Sequence, residues 1–269
     1  MAASGGERRM VFDIRGRRRH VVKFVYAILA LLMGASLFLV VGPVNIGSLL
    51  GNSEGSGNAA SQFEGQAVAI ERKLKKSPED PQLLLNLTRI RISAGNSLAQ
   101  ANPETGAIAY TPESRQQLEK ASEAWSKYLK ATGEPSTGGA QLVSQALFGL
   151  AQTSRTGAEA EANIRAAAHA QQIVAESRPS LGSLSTLTIY RYYSFDYKGA
   201  AQARKEAAAY ANTKFERENL GNELDKISKR GHEFQKQIAE IEKAAKKAQA
   251  KGEPSIANPL SESNPLAAP

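Results

Sequence analysis

Apolar residues recur every three or four positions through most of the chain between residues 61 and 250. In the first such stretch, Phe63, Ala67, Ile70 and Leu74 are separated by four, three and four residues, which places them on one face of a helix. The same pattern predicts helices over residues 61–77, 81–95, 113–132, 140–154, 158–177, 181–194, 197–211 and 214–250. A series of helices joined by short connections predicts an all-α fold.

Prolines and glycines separate these predicted helices. Asp80, just before the second helix, is expected to cap it, because an aspartate oxygen accepts hydrogen bonds from the first free amides. Residues 100–111 are predicted to form a loop inserted within one hairpin, and 133–139 a break. Because Pro135 and Pro179 follow the helices at 113–132 and 158–177, the helices are predicted to pair as hairpins whose second member ends before a proline.

A long uncharged segment precedes the helical series. Its core, residues 24–44, reads FVYAILALLMGASLFLVVGPV. About 20 apolar residues are needed to cross a bilayer core, and only a helix satisfies its own backbone there, so one transmembrane helix is predicted over 24–44. The alternative is a cleaved signal peptide, but its apolar region would be shorter, about 7 to 15 residues.

The charges on either side of this span predict its direction. Basic residues precede it, and no Lys or Arg follows until Arg72. The positive-inside rule therefore predicts a cytoplasmic N-terminus and an extracytoplasmic C-terminal domain at the cell membrane. Anionic lipid headgroups are a further expected partner of this basic arm. The topology residues are Arg15, Arg17, Arg18, Arg19 and Lys23.

Composition and charge narrow the function classes. The chain lacks Cys, which excludes disulfides and thiolate chemistry. Its net charge is +8, but residues 1–23 carry +5 of this, so the remainder is close to neutral and predicts no nucleic-acid binding. The three His residues are far apart in sequence, and no phosphate loop or nucleophile elbow occurs, so no enzyme, metal site or cofactor is expected.

The predicted domain organisation follows from these segments. A basic cytoplasmic arm (1–23) and the span (24–44) are followed by a Gly- and Ser-rich flexible tether (45–60), a helical repeat domain (61–212), a long helix (213–251) and a disordered tail (252–269). An apolar residue lies at almost every third and fourth position of the long helix, with Gly231 as a flaw costing about 1 kcal/mol. This stripe consists of Leu220, Leu224, Ile227, Phe234, Ile238 and Ile241.

Two features predict contacts between helices. The stripe has the spacing of a coiled coil, and three readings stay open: a cap packed on the last repeat, a coiled-coil homo-oligomer, or docking to another protein. Ala30 and Gly34 form a small-xxx-small pair within the span, which would let two membrane helices approach closely.

The hairpins resemble degenerate tetratricopeptide repeats. The resemblance is carried by small and aromatic residues spaced four and three apart in the second helix (Ala121, Trp125, Tyr128), by closing prolines, and by first helices that match each other. In those first helices, Leu84, Leu87, Thr88 and Arg91 recur as Leu184, Leu187, Thr188 and Arg191. The resemblance implies an α-solenoid over residues 61–212 that binds protein segments.

The N-terminal stretch from Met10 through the span is similar to single-pass tetratricopeptide-repeat membrane proteins of actinobacteria. Members of this group begin at the Met of the motif M-x-F-D-x-R-G. The resemblance therefore implies that Met10, rather than Met1, is the natural start. An intact-mass measurement that finds residues 1–9 in the native protein would refute this expectation.

Four side chains are candidates for a peptide-binding groove. Arg91 and Arg191 could take acidic groups of a ligand, although a solvated helix face is the simpler interpretation. Tyr190 and Tyr193 belong to an aromatic cluster that would offer contact area at little entropic cost, although packing between the last helices explains it too.

The sequence thus predicts a membrane-tethered adaptor or scaffold that binds an unidentified protein partner on the extracytoplasmic face. Repeat proteins of this topology work beside the secretion channel in Gram-negative bacteria, so an accessory role in secretion is one version. A structural subunit of a self-assembling membrane or envelope complex is the alternative, and binding of cell-wall polymer is a third interpretation.

Overall fold

A computed structural model of the chain describes residues 56–101, 108–154 and 156–250. The all-α class predicted from the sequence is confirmed for this part of the chain, which also contains one two-residue antiparallel ladder, β1–β2. The elements in order are α1 (Ser56–Leu74), α2 (Pro81–Leu98), β1 (Gln100–Ala101), β2 (Ile108–Ala109), α3 (Pro112–Ala131), α4 (Thr137–Gln152), α5 (Gly157–Ser177), α6 (Leu181–Tyr193), α7 (Tyr197–Ala209) and α8 (Lys214–Ala250).

Side-chain caps set where most helices begin. The Asp80 carboxylate accepts hydrogen bonds from the amides of Gln82 (2.9 Å) and Leu83 (3.1 Å), which confirms it as the N-cap of α2. Hydroxyl groups of Thr111, Ser136, Thr156 and Ser180 cap α3, α4, α5 and α6, and Asp196 caps α7. Short polar residues between the apolar stretches therefore fix the helix boundaries.

Neighbouring helices pack as the predicted hairpins. The most extensive contacts join α2 with α3 and α4 with α5, followed by those of α1 with α2 and of α6 with α7. Pro135 lies between the first two hairpins and Pro179 between the last two, so the pairing inferred from the prolines is confirmed.

The insertion between α2 and α3 is held by packing on a neighbouring hairpin. The ladder pairs Gln100 with Ala109, and Tyr110, next along the chain, packs into the main core. A Cβ at Gly149 of α4 would lie 2.4 Å from the Tyr110 hydroxyl, so only glycine leaves room for this ring.

The matching residues of α2 and α6 occupy matching environments. Thr88 and Thr188 are both fully buried, and each donates its hydroxyl hydrogen to the carbonyl four residues earlier, at 2.9 Å and 2.8 Å. Leu84 and Leu184 are also buried. Because a buried hydroxyl needs a partner, this back-bond allows threonine where helices approach closely.

The long helix α8 covers the last two hairpins. Its residues Phe234 and Ile238 pack with Tyr193 of α6, Ala160 and Ile164 of α5, and Ala151 of α4. The expectation that Gly231 weakens the long helix is wrong, because the glycine lies against α6. A Cβ there would come within 2.9 Å of the Tyr192 carbonyl oxygen, so glycine permits this close approach.

One boundary of the predicted organisation differs from the structure. Helix α1 begins at Ser56, so residues 56–60 are helical and the predicted tether of residues 45–60 is too long at this end. Ala60 is buried, which explains why a Gly- and Ser-rich segment becomes helical where it reaches the domain.

The predicted transmembrane helix (24–44), the cytoplasmic arm (1–23) and the tail (252–269) lie outside the described residues. No helix within the described part of the chain is long and apolar enough to cross a membrane.

Candidate functional site

Arg91 lies inside the first part of the helical domain. Its guanidinium is 2% exposed and donates to Glu64 and Glu71 of α1 and to Gln117 of α3, at 2.5, 2.5 and 2.6 Å. A buried guanidinium needs such partners, since its desolvation cost is otherwise several kcal/mol. Arg91 therefore joins three helices, and the expectations that it lies on a solvated face or takes ligand carboxylates are wrong.

Arg191 occupies the matching position of α6 but remains partly accessible, at 18%. It donates to the Gly199 carbonyl of α7 and to the Gln172 side chain of α5, both at 3.0 Å. The nearest carboxylate is that of Asp196, 3.7 Å from Nε. Two of the three partners are thus neutral, in contrast to the two carboxylates around Arg91.

The two candidate tyrosines belong to the core. Tyr190 is 7% exposed and stacks on Phe148 at 4.6 Å between ring centroids, and burial raises its pKa to about 12. Tyr193 meets Phe234 edge-on at 6.3 Å, and burial raises its pKa while Arg230 lowers it. Packing between helices accounts for both rings, so the expectation that they line an open groove is wrong.

The stripe of α8 is used within the molecule. Leu224, Phe234 and Ile238 are buried at 2%, 0% and 4% exposure. The partly buried residues Leu220, Ile227 and Ile241 pack against the same clusters. Of the three interpretations of this stripe, the geometry matches a cap packed on the last two hairpins.

A cleft of about 430 Å³ opens over α2, between α1 and α3. We call it the first cleft. Apolar residues Leu74, Leu84, Leu87 and Ala124 contribute to its lining. Charged residues also line it, namely Glu71, Lys75, Lys120, Glu123 and Lys127. Ligand-binding clefts combine an apolar lining with a few polar groups that fix orientation, and here half of the lining residues are charged, more than at the core of a usual protein interface.

A second cleft, of about 630 Å³, opens at the junction of α6 and α7. We call it the Arg191 cleft. It is lined by Arg191 and Asp196 together with residues on one side of α7: Lys198, Gly199, Ala201, Gln202 and Lys205. Gly199 is essential to its shape, because a Cβ there would lie 2.0 Å from an oxygen of the Asp196 carboxylate that caps α7. One of the four predicted groove residues, Arg191, thus lines a surface cleft.

The remaining candidate residues lie outside the described part of the chain: Arg15, Arg17, Arg18, Arg19, Lys23, Ala30 and Gly34. Within the described residues, no group of three His, Asp or Glu side chains is arranged to hold a metal ion. His232 stacks on Tyr197 at 4.1 Å between ring centroids and contacts the Ser228 carbonyl, so it has a packing role at the α7–α8 contact.

Sequence reasoning missed the lysines of both clefts and the carboxylate partners of Arg91. A signal for the latter was present, because Glu64 and Glu71 are seven residues apart and share one face of α1. Lys198 and Lys205 repeat this spacing on α7. Like charges seven residues apart, on a helix that packs against the helix carrying Arg91 or Arg191, would have indicated both the partners of Arg91 and the Arg191 cleft.

Comparisons leave the family open: no protein-family model, curated protein or solved structure matches the chain.

Proposed function

We propose that this protein is a membrane-tethered scaffold whose helical hairpins bind a segment of another protein. The first cleft is the observation that carries the proposal. Its partly buried residue Leu74 offers apolar contact area, and Lys75, Lys120 and Lys127 provide charged groups that fix the orientation of a bound segment. Tethering by the span over residues 24–44 would raise the effective concentration of the scaffold near the membrane, so that weak contacts suffice.

We further propose that the hairpins are degenerate tetratricopeptide repeats in an α-solenoid. The supporting observation is the shared environment of α2 and α6, in which Thr88 and Thr188 make the same buried back-bond. Repeated units with repeated internal contacts are expected when each hairpin covers the apolar face of its neighbour. An accessory role in protein secretion remains one version of the proposed scaffold function.

The alternative is a structural subunit that self-assembles through the α8 stripe or the Ala30–Gly34 pair. The burial of Leu224, Phe234 and Ile238 within the chain weighs against the α8 route, because a homodimer through these residues would first have to detach the helix. The pair in the predicted span lies outside the described residues.

The experiment is site-specific photocrosslinking of the full-length protein in native membranes. A benzophenone amino acid replaces Lys127, at the first cleft, and in a control replaces Lys236 on an exposed part of α8. We expect a distinct second protein, identified by mass spectrometry, to be attached at position 127 and several-fold less at position 236.

Identical adducts at both positions would contradict the proposal, because they would report random collisions. Adducts between copies of this chain alone would favour the self-assembling subunit. Enrichment of secretion-channel subunits at position 127 would support the secretion version.

A further inference from the structure

The Arg191 cleft has an excess of positive charge. Arg191, Lys198 and Lys205 line it, and Asp196 supplies the one carboxylate of its lining. That carboxylate already has partners, since it accepts a hydrogen bond from the Gly199 amide at 2.9 Å and lies 3.7 Å from Nε of Arg191. Within the described residues, neither Lys198 nor Lys205 has an ion-pair partner. The cleft therefore has unneutralised charge available to an anionic ligand.

Comparison with Arg91 shows that this charge is particular to the last hairpin. At Arg91 the preceding helix supplies two carboxylates, whereas the helix preceding Arg191 supplies the neutral amide of Gln172. A further carboxylate, Glu176, accepts from the other end of that amide at 2.7 Å, so it contacts Gln172 rather than the guanidinium. The Arg191 guanidinium has five N–H groups. Three of them face Gly199, Gln172 and Asp196, which leaves two for a ligand.

The spacing of the cations indicates the form of the ligand. Lys198 and Lys205 are seven residues apart on α7, which corresponds to about 10 Å along a helix. An extended chain covers that distance in about three residues. Several carboxylates spread along an extended segment would match these cations better than one terminal carboxylate would.

We propose that the Arg191 cleft binds an acidic, extended segment of the protein partner through side-chain carboxylates. Arg191 holds one carboxylate at the base of the cleft, and Lys198 and Lys205 attract others along α7. A run of carboxylates fits better than a single phosphate, because it spreads its charge over the length of α7 that separates Lys198 from Lys205. This inference rests on the proposed scaffold function and gives its partner a chemical character.

The test measures binding of two matched peptides to the full chain in nanodiscs of zwitterionic lipid. The probes are fluorescein-labelled pentaglutamate and pentaglutamine, both amidated at the C-terminus, followed by fluorescence anisotropy at about 50 mM salt. We expect pentaglutamate to bind and pentaglutamine not to bind. We expect K198A/K205A to weaken pentaglutamate binding about fivefold, as the loss of two exposed ion pairs implies.

A matched control variant separates a site from general electrostatics. K236A/K243A removes two lysines with the same seven-residue spacing from exposed positions of α8, and so changes the net charge equally. We expect its affinity for pentaglutamate to equal that of the unaltered protein. Equal weakening in both double variants, or in neither, would overturn the proposal.

Two further arms test the base of the cleft and the ligand class. R191Q is expected to weaken binding at least as much as K198A/K205A, with helicity checked by circular dichroism because Arg191 also contacts Gln172 and Gly199. A pentaserine peptide with a free C-terminus is expected not to bind. Tighter binding of pentaserine than of pentaglutamate would overturn the proposal.

The same variants distinguish failure of this inference from failure of the proposed function. If pentaglutamate does not bind while the photocrosslinked partner at position 127 persists, the inference fails and the scaffold function stands. If pentaglutamate binds through Lys198 and Lys205 but no partner is captured at position 127, the inference stands and the role of the first cleft fails.

Discussion

Replacing Phe234 by alanine should destabilise the domain by about 3–5 kcal/mol, because the structure buries this ring completely. The ring meets Tyr193 edge-on at 6.3 Å and lies 5.9 Å from Phe195, so truncation removes two aromatic contacts and leaves a cavity under α8. For a domain of about 200 residues, such a loss should lower Tm by about 10 °C.

Phe215 offers a control of the same residue type on the same helix. Its side chain is 71% exposed at the start of α8, so F215A should change the free energy of unfolding by less than about 0.5 kcal/mol. The assay is guanidinium unfolding of the full chain in detergent, followed by circular dichroism and by fluorescence of Trp125, the single tryptophan. Because Trp125 lies in α3, its signal tests whether the loss under α8 reaches the first hairpin.

Two results would refute the reasoning. If F234A unfolds within about 1 kcal/mol of the unaltered protein, Phe234 does not anchor α8 as the structure has it. If the midpoint of the unaltered protein rises with protein concentration and F234A removes that dependence, the stripe serves a homo-oligomer rather than a cap.

Three further predictions concern single positions. Gly231→Ala should destabilise the domain by about 1–2 kcal/mol, because its Cβ would press on the α6 backbone. Gly65→Ala should stabilise the domain by about 0.5–1 kcal/mol, because its Cβ would meet no atom within 4 Å, and urea unfolding measures both changes. Burial raises the pKa of Tyr190 to about 12, above its unfolded value of 10.0, so the free energy of unfolding should fall by about 2–3 kcal/mol as pH rises from 10 to 12. Tyr190→Phe should remove this contribution to the fall in pH-dependent melts. Phe195 has φ 64°, so Phe195→Ala should be less stable than Phe195→Gly by about 1 kcal/mol in thermal melts, since glycine relieves the backbone strain that alanine keeps; equal stabilities would argue against strain.

Much of the fold could be predicted because local signals agree with the tertiary arrangement. Helical periodicity identified the eight helices of the described residues, and Pro135 and Pro179 identified which of them pair. Capping residues such as Asp80 act within one turn, so the sequence alone is enough to find them. The start of α1 was predicted too late, because burial of Ala60 against the domain outweighs the weak helix propensity of its glycines and serines.

Contacts between distant helices could not be predicted in the same way. Gly231 looks like a weak point in an isolated helix, and its value appears only when Tyr192 of α6 lies against it. Likewise, the aromatic residues of α6 suggested a binding surface, yet Tyr190 stacks on Phe148, about forty residues earlier in the chain. A residue type that suits both a core and an interface is assigned by its neighbours, which the sequence of one helix does not contain.

The two matching arginines show how a repeated position acquires different roles. Sequence placed Arg91 and Arg191 at the same point of α2 and α6, but the preceding helix decides the chemistry of each. Glu64 and Glu71 neutralise Arg91 and make it a joint between three helices, whereas the neutral Gln172 leaves Arg191 with charge to spare at a surface cleft. Exchanging these environments is therefore informative: Gln172→Glu would supply the missing carboxylate. It should weaken pentaglutamate binding and lower stability slightly, because it also replaces the Gln172–Glu176 hydrogen bond by two facing carboxylates. Unchanged binding would show that the guanidinium does not contribute to the cleft.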